Sequence, residues 1–82
     1  MYKVYAIKSQ KEERIYVGYS KDSFKRLKEH NDGYCRSTKG YRPWELLFEE
    51  EVTTLKQALK LEKYYKSASG KKRLKEILNM TL

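Results

Sequence analysis

The sequence predicts an α+β fold: a small three-stranded, mostly antiparallel sheet flanked by helices, in the order β-β-α-β-α-α. Three observations predict it. Two runs rich in aromatic and β-branched residues, 2–7 (YKVYAI) and 14–18 (RIYVG), are separated by a short polar stretch, the pattern of an antiparallel hairpin. Apolar residues then recur at helical spacing after the hairpin, and again after a third strand-like run. Finally, 82 residues suffice for one small core, so a single domain over residues 1–82 is expected.

Residues 2–7 form the first strand, 9–13 a polar turn and 14–18 the second strand. Asp22 or Ser20 caps a helix over 23–31, and Gly33 stops it. Phe24, Leu27 and Asn31 follow helical spacing, which points Phe24 and Leu27 at the core. Arg26 and His30, four residues apart, stack one turn above the other on a different side. Residues 34–43 read as a basic loop, and 44–52 (WELLFEEEV) as a third strand with an acidic end.

Thr53 or Thr54 opens a long helix whose apolar arc is Leu55, Ala58, Leu59, Leu61, Tyr65 and Ala68. Glu62 falls inside that arc, seven residues after Leu55. A carboxylate on a buried side costs stability unless it is paired or metal-bound. Ser69 and Gly70 are expected to break this helix, and 71–79 to form a final basic one.

Charge supplies the first functional clue. Nineteen Lys and Arg against eleven acids give a net charge of +8, which favours a polyanionic partner, nucleic acid before membrane. The charge is also polarised: seven basic and three acidic residues lie between 21 and 42, eight basic residues lie between 56 and 75, and an acidic run separates them. Lys21, Lys25, Lys28, Arg36, Lys39 and Arg42 are the candidate phosphate contacts.

No apolar run is long enough to span a bilayer, and the first ten residues are too charged for a signal peptide, so a cytoplasmic protein without a membrane partner is expected. Cys35 is the only cysteine, which leaves no internal disulfide, and one Cys with one His cannot build the usual four-ligand zinc site. A metal here would be a hard cation on carboxylate oxygen and water. No small-molecule cofactor is expected.

Tyr5 in KVY, Tyr16 in YVG eleven residues later, then Arg26, His30 and a helical Glu62 after the third strand together resemble the GIY-YIG nuclease superfamily. The resemblance runs over roughly residues 2–67 and is nearest to short single-domain bacterial members similar to the N-terminal nuclease domain of excinuclease. Lys3 departs from it, standing where the family pattern has glycine. The resemblance implies metal-dependent endonuclease action on nucleic acid, DNA first, in repair or recombination. It implies that Tyr5 and Tyr16 contact the attacking water or the phosphate, one of them as or beside the general base. Arg26 would stabilise charge on the scissile phosphate, His30 would support or transfer a proton, and Glu62 would hold a single Mg2+ or Mn2+.

These roles suit the chemistry, since phosphodiester hydrolysis needs an activated water and neutralised charge, and a guanidinium bridges phosphate oxygens in a way lysine cannot. Taken singly, each residue also has a plainer reading. The tyrosines could be strand core, Arg26 and His30 a solvated helix face, and Glu62 a surface partner of Lys66. A binding module without turnover, or a basic adaptor in a protein assembly, stays open beside the enzyme.

Overall fold

Strand β1 (Tyr2–Ser9) is the middle strand, and its sequence shows why: Val4, Tyr5, Ala6 and Ile7 form a continuous apolar run that is buried on both faces. The computed structural model describes residues 1–80. On one edge, β2 (Ile15–Ser20) pairs antiparallel with β1, Tyr5 opposite Gly18 and Ile7 opposite Tyr16. On the other edge, β3 (Trp44–Val52) pairs antiparallel with β1, giving the order β2-β1-β3. The register of β3 shifts between Ala6 and Ile7, which pair with Phe48 and Leu46.

Side chains alternate across this sheet and build two cores. Val4, Ala6 and Val17 pack with Ala58, Tyr65 and Leu74 of the later helices. Tyr5, Ile7 and Trp44 pack with Tyr16, Leu27, Tyr41 and Leu46 on the opposite face. β1 and β2 run two residues past their expected ends, while β3 keeps its expected bounds. Ser9 belongs to β1 because its hydroxyl donates to the Tyr41 carbonyl at 2.6 Å and accepts from the Lys11 and Glu12 amides, both at 3.1 Å. That side chain shapes the polar turn.

Helix α1 (Ser23–Asp32) has the expected ends. Asp22 accepts from the Lys25 amide at 3.1 Å, and Gly33, at φ 85°, returns its N–H to the His30 carbonyl. Left-handed φ is what makes glycine the residue for that stop. The helix face differs from the expectation: Phe24 is 65 % exposed, and Ser23 and His30 are buried, with Leu27 packed between them. The polar partners of Ser23 and His30, Glu49 and Tyr5, set the helix phase against the pull of Phe24.

The loop after α1 contains one 3-10 turn (Lys39–Tyr41). Helix α2 (Leu55–Lys66) opens with a capping box, in which Thr54 accepts from the Gln57 amide and the Gln57 side chain accepts from the Thr54 amide. Its buried stripe is Ala58, Leu61 and Tyr65, while Leu55, Leu59 and Ala68 point outward, so the apolar arc expected for this helix is narrower and rotated. The two leucines gain the helix propensity that favours them, without core contacts.

The break between helices falls at Ser67, not at Ser69 and Gly70. Ser67 donates to the Tyr64 carbonyl and accepts from the Gly70 amide, closing α2 and opening α3 (Ala68–Met80) with one side chain. Gly70 is buried inside α3: a Cβ there would overlap the Tyr64 carbonyl oxygen and the Tyr65 backbone. It is a crossing point of two backbones.

Candidate functional site

The hairpin and α1 converge on one cluster. Tyr5 projects from β1 toward α1, where its hydroxyl lies 3.0 Å from His30 Nε2. The ring of Tyr16, one strand over, has its centroid 4.9 Å from that of His30 and 6.5 Å from that of Tyr5. Gly18 makes the arrangement possible, because a Cβ at that position would stand 2.7 Å from the Tyr5 hydroxyl and 3.1 Å from a Tyr16 ring carbon. This steric demand gives the Tyr-Val-Gly strand end its meaning.

A hydrogen-bond chain orients the cluster. Thr38 donates its hydroxyl proton to the Cys35 carbonyl at 3.2 Å, so its oxygen is left to accept from His30 Nδ1 at 2.8 Å. With the proton on Nδ1, Nε2 carries a lone pair, and the Tyr5 hydroxyl donates to it. Burial lowers the His30 pKa, and the nearby Arg26 charge lowers it further, so the imidazole is neutral. Burial likewise pushes Tyr5 up to about 12, against the lowering effect of Arg26. Tyr16 is raised too, by burial first and then by neighbouring negative groups that include Glu62. Neither phenol is a preformed phenolate at neutral pH. The neutral imidazole is the group in this cluster ready to take a proton.

Arg26 and His30 therefore do not stack on a common solvent face. His30 is fully buried, whereas Arg26 stays partly exposed and lies 3.5 Å from Glu29. Arg26 instead acts across to Tyr5 and Tyr16, on whose pKa values its charge bears. Glu62 reaches the edge of the cluster from α2 with its side chain 20 % exposed and Lys66 Nζ 3.7 Å away. It sits at the margin of the helix's buried stripe.

Among the described residues, no group of three His, Cys, Asp or Glu side chains gathers that could form an all-protein metal cage. One part-exposed carboxylate with a loosely held lysine neighbour does suit a hydrated magnesium ion, which keeps several waters and takes the rest of its shell from substrate phosphate.

Arg36, Lys39 and Arg42 share a shallow depression of about 700 Å³ with Lys11. Arg42 is anchored there, its Nε donating to the Lys39 carbonyl at 2.9 Å. Lys25 and Lys28 lie exposed on α1, Lys28 paired with Asp32 at 2.8 Å, and Lys21 covers the Tyr2 ring at 5.5 Å. Lys3, at the position where the family pattern has glycine, pairs with Glu49 at 3.7 Å, the carboxylate that also accepts from Ser23. Sequence reasoning missed Thr38. Its one signal was indirect: a histidine on a core-facing helix position needs a partner for its second nitrogen, and the following loop is where it must be found.

The profile of the GIY-YIG catalytic domain matches residues 1–75. The UPF0213 protein YazA of Bacillus subtilis is 42% identical over 64 residues, a match covering 77% of this chain and 65% of that protein's length, just under two thirds. The UPF0213 protein SSP2268 of Staphylococcus saprophyticus is 40% identical over 75 residues, 90% of each chain. The UPF0213 protein SERP0126 of Staphylococcus epidermidis is 41% identical over 64 residues, 77% of this chain and 78% of its own. No solved structure matches the chain. No helix of the described residues is long and apolar enough to cross a membrane.

Proposed function

The chain belongs to the GIY-YIG family of nucleases, and from that premise we propose that it is an endonuclease hydrolysing phosphodiester bonds of nucleic acid, DNA first, with one Mg2+ or Mn2+. DNA repair or recombination is the setting this chemistry serves. The observation that carries the reading is the Tyr5–His30–Thr38 chain, in which a neutral imidazole accepts from a phenol beside a guanidinium.

In this reading Tyr16, on the open edge of the sheet, meets the phosphate, and Arg26 neutralises its charge. The attacking water bonds to phosphorus beside Tyr16, the half-exposed phenol, and its proton leaves to solvent there, while the buried Tyr5–His30–Thr38 chain holds this wall of the site in place. The bond to the leaving oxygen breaks, and that oxygen is reprotonated from solvent. Thr38 holds the tautomer that lets His30 accept. Glu62 is the residue that would hold the metal. When bound, the ion supplies Lewis-acid stabilisation of negative charge. Arg26 and the basic residues of α1 and its following loop bind the backbone.

Two substitutions test this by nicking assay and melting temperature on the same preparations. Arg26→Lys keeps the charge but loses the planar fork, so cleavage is expected to fall about tenfold or more with little change in melting. Glu62→Gln is expected to abolish metal-dependent cleavage, keep nucleic-acid binding, and shift stability by at most ~1 kcal/mol. Full activity in Glu62→Gln refutes the metal-ligand assignment. A second reading, a binding module without turnover on the same basic face, rests on Lys3 standing where the family pattern has glycine, and it predicts tight binding with no nicking in the unmodified protein.

A further inference from the structure

On the far side of Tyr16 from α1, a cleft of about 460 Å³ opens between the β2 edge and the corner where α2 meets α3. Its floor is apolar, with half-exposed Ile15 lying over the buried Val17, Tyr65 and Leu74. Four cations stand around it, Arg14, Lys66, Lys71 and Lys75, against a single acid, Glu13. Arg14 is steadied over the Tyr41 ring at 4.4 Å. Lys66 is the residue that also faces Glu62, and Tyr16 lines both the cleft and the aromatic cluster. Tyr16 and Lys66 thus stand between the cleft and the candidate active site. Among the described residues the β2 strand beside it pairs only with β1, so its outer backbone edge has no strand partner there.

An apolar floor under a cationic rim matches one kind of ligand well: a group with a flat apolar part and an attached anion. A nucleotide has that shape, with a base for the floor and a phosphate for the rim. A double helix is far wider than the cleft and keeps its bases stacked inside, so it could touch the rim without reaching the floor. A single strand can present base and phosphate together, and single-strand sites elsewhere combine a cationic track with an aromatic or apolar surface in this way.

We propose that this cleft is a subsite for one unpaired nucleotide of the strand being cut, so that the preferred substrate carries a single-stranded segment beside the scissile phosphate. The proposal rests on the nuclease reading for its substrate and extends it to a second, separate surface. Lys71 and Lys75 bind the phosphate that follows the scissile one. Ile15 and Tyr16, the half-exposed residues of the cleft wall, receive the base above the buried Val17, Tyr65 and Leu74.

The test reads binding without turnover. Fluorescence anisotropy in metal-free buffer with EDTA compares a labelled oligothymidylate with a blunt duplex carrying the same number of phosphates. The unmodified protein is expected to bind the single strand more tightly. Lys71→Glu/Lys75→Glu, both at exposed positions, is expected to weaken single-strand binding about tenfold and duplex binding by clearly less, through lost rim contacts alone. Lys25→Glu/Lys28→Glu on α1 is expected to weaken both ligands alike. Equal losses on both ligands for the α3 variant, or a preference of the unmodified protein for blunt duplex, overturn the subsite. Binding to neither ligand overturns the nucleic-acid reading and this proposal with it. Tight, single-strand-selective binding without any nicking once metal is restored supports the subsite and refutes only turnover.

Discussion

At the scale of single residues, the informative groups are those whose partners lie far away in sequence. Tyr5 and Tyr16 were legible as a pair through the family resemblance, since alone they read as strand core, and the structure sets them on one face of the sheet. His30 was legible as special but placed wrongly, because helical spacing put it on a side away from the core-facing Phe24 and Leu27 while its real neighbours are the buried Tyr5 and Thr38. Removing Thr38 tests the chain. Thr38→Val leaves the buried His30 Nδ1–H without an acceptor, which is expected to cost ~1–3 kcal/mol of stability. It is expected to lower cleavage about ten- to a hundredfold, and Thr38→Ser is expected to restore both, since only the hydroxyl is needed.

The same residue sets a pH response. The His30 pKa is lowered in the folded protein, so as pH falls below the ordinary value of ~6.5 the unfolded chain takes up a proton that the folded chain resists. Stability from this group is therefore present above ~6.5 and lost below it, down to the lowered folded value. Melting temperatures measured across mildly acidic pH are expected to drop for the unmodified protein, and His30→Asn is expected to flatten that dependence. An unchanged slope in His30→Asn would place the acid sensitivity elsewhere.

Elements were legible mostly at their ends. Asp22, Gly33 and Thr54 each act through their own short side chain or backbone freedom, a local effect that the sequence displays directly. Helix faces were less legible, since which side is buried depends on what the sheet offers. Ser23 and His30 are drawn inward by Glu49 and Tyr5, and Phe24, Leu55 and Leu59 are left outside. Gly70 misled for another reason: a glycine reads as a breaker, but here its missing Cβ admits the backbone of Tyr64 and Tyr65. Gly70→Ala improves helix propensity on α3 yet forces two backbones apart. A loss of about 2–3 kcal/mol is expected by chemical denaturation, the overpacking cost outweighing a propensity gain of ~1 kcal/mol. A stabilised Gly70→Ala would show that the two helices separate freely at this point.

For the whole molecule, the element order followed from the chain, while the lateral order β2-β1-β3 and the division into two cores needed the structure, because strand neighbours are chosen by which faces must be covered. The net charge of +8 makes binding to any duplex strongly dependent on salt. Affinity is expected to fall at least about a hundredfold between ~50 and ~200 mM salt and to vary little among unrelated sequences, as titrations at several salt concentrations would read. Strong preference for one sequence, little affected by salt, would contradict this.

The strand order has one more consequence, for the moments before contact. It puts β2, with the Arg14 and lysine-ringed cleft, at one edge of the sheet, and β3, with exposed Glu45, Glu50 and Glu51, at the other. A body charged this way is turned by the field of a polyanion as it approaches, the glutamate edge swinging away and the tyrosine edge leading. A larger share of collisions then arrives the right way round, and the chain spends its few residues on aim as well as on grip.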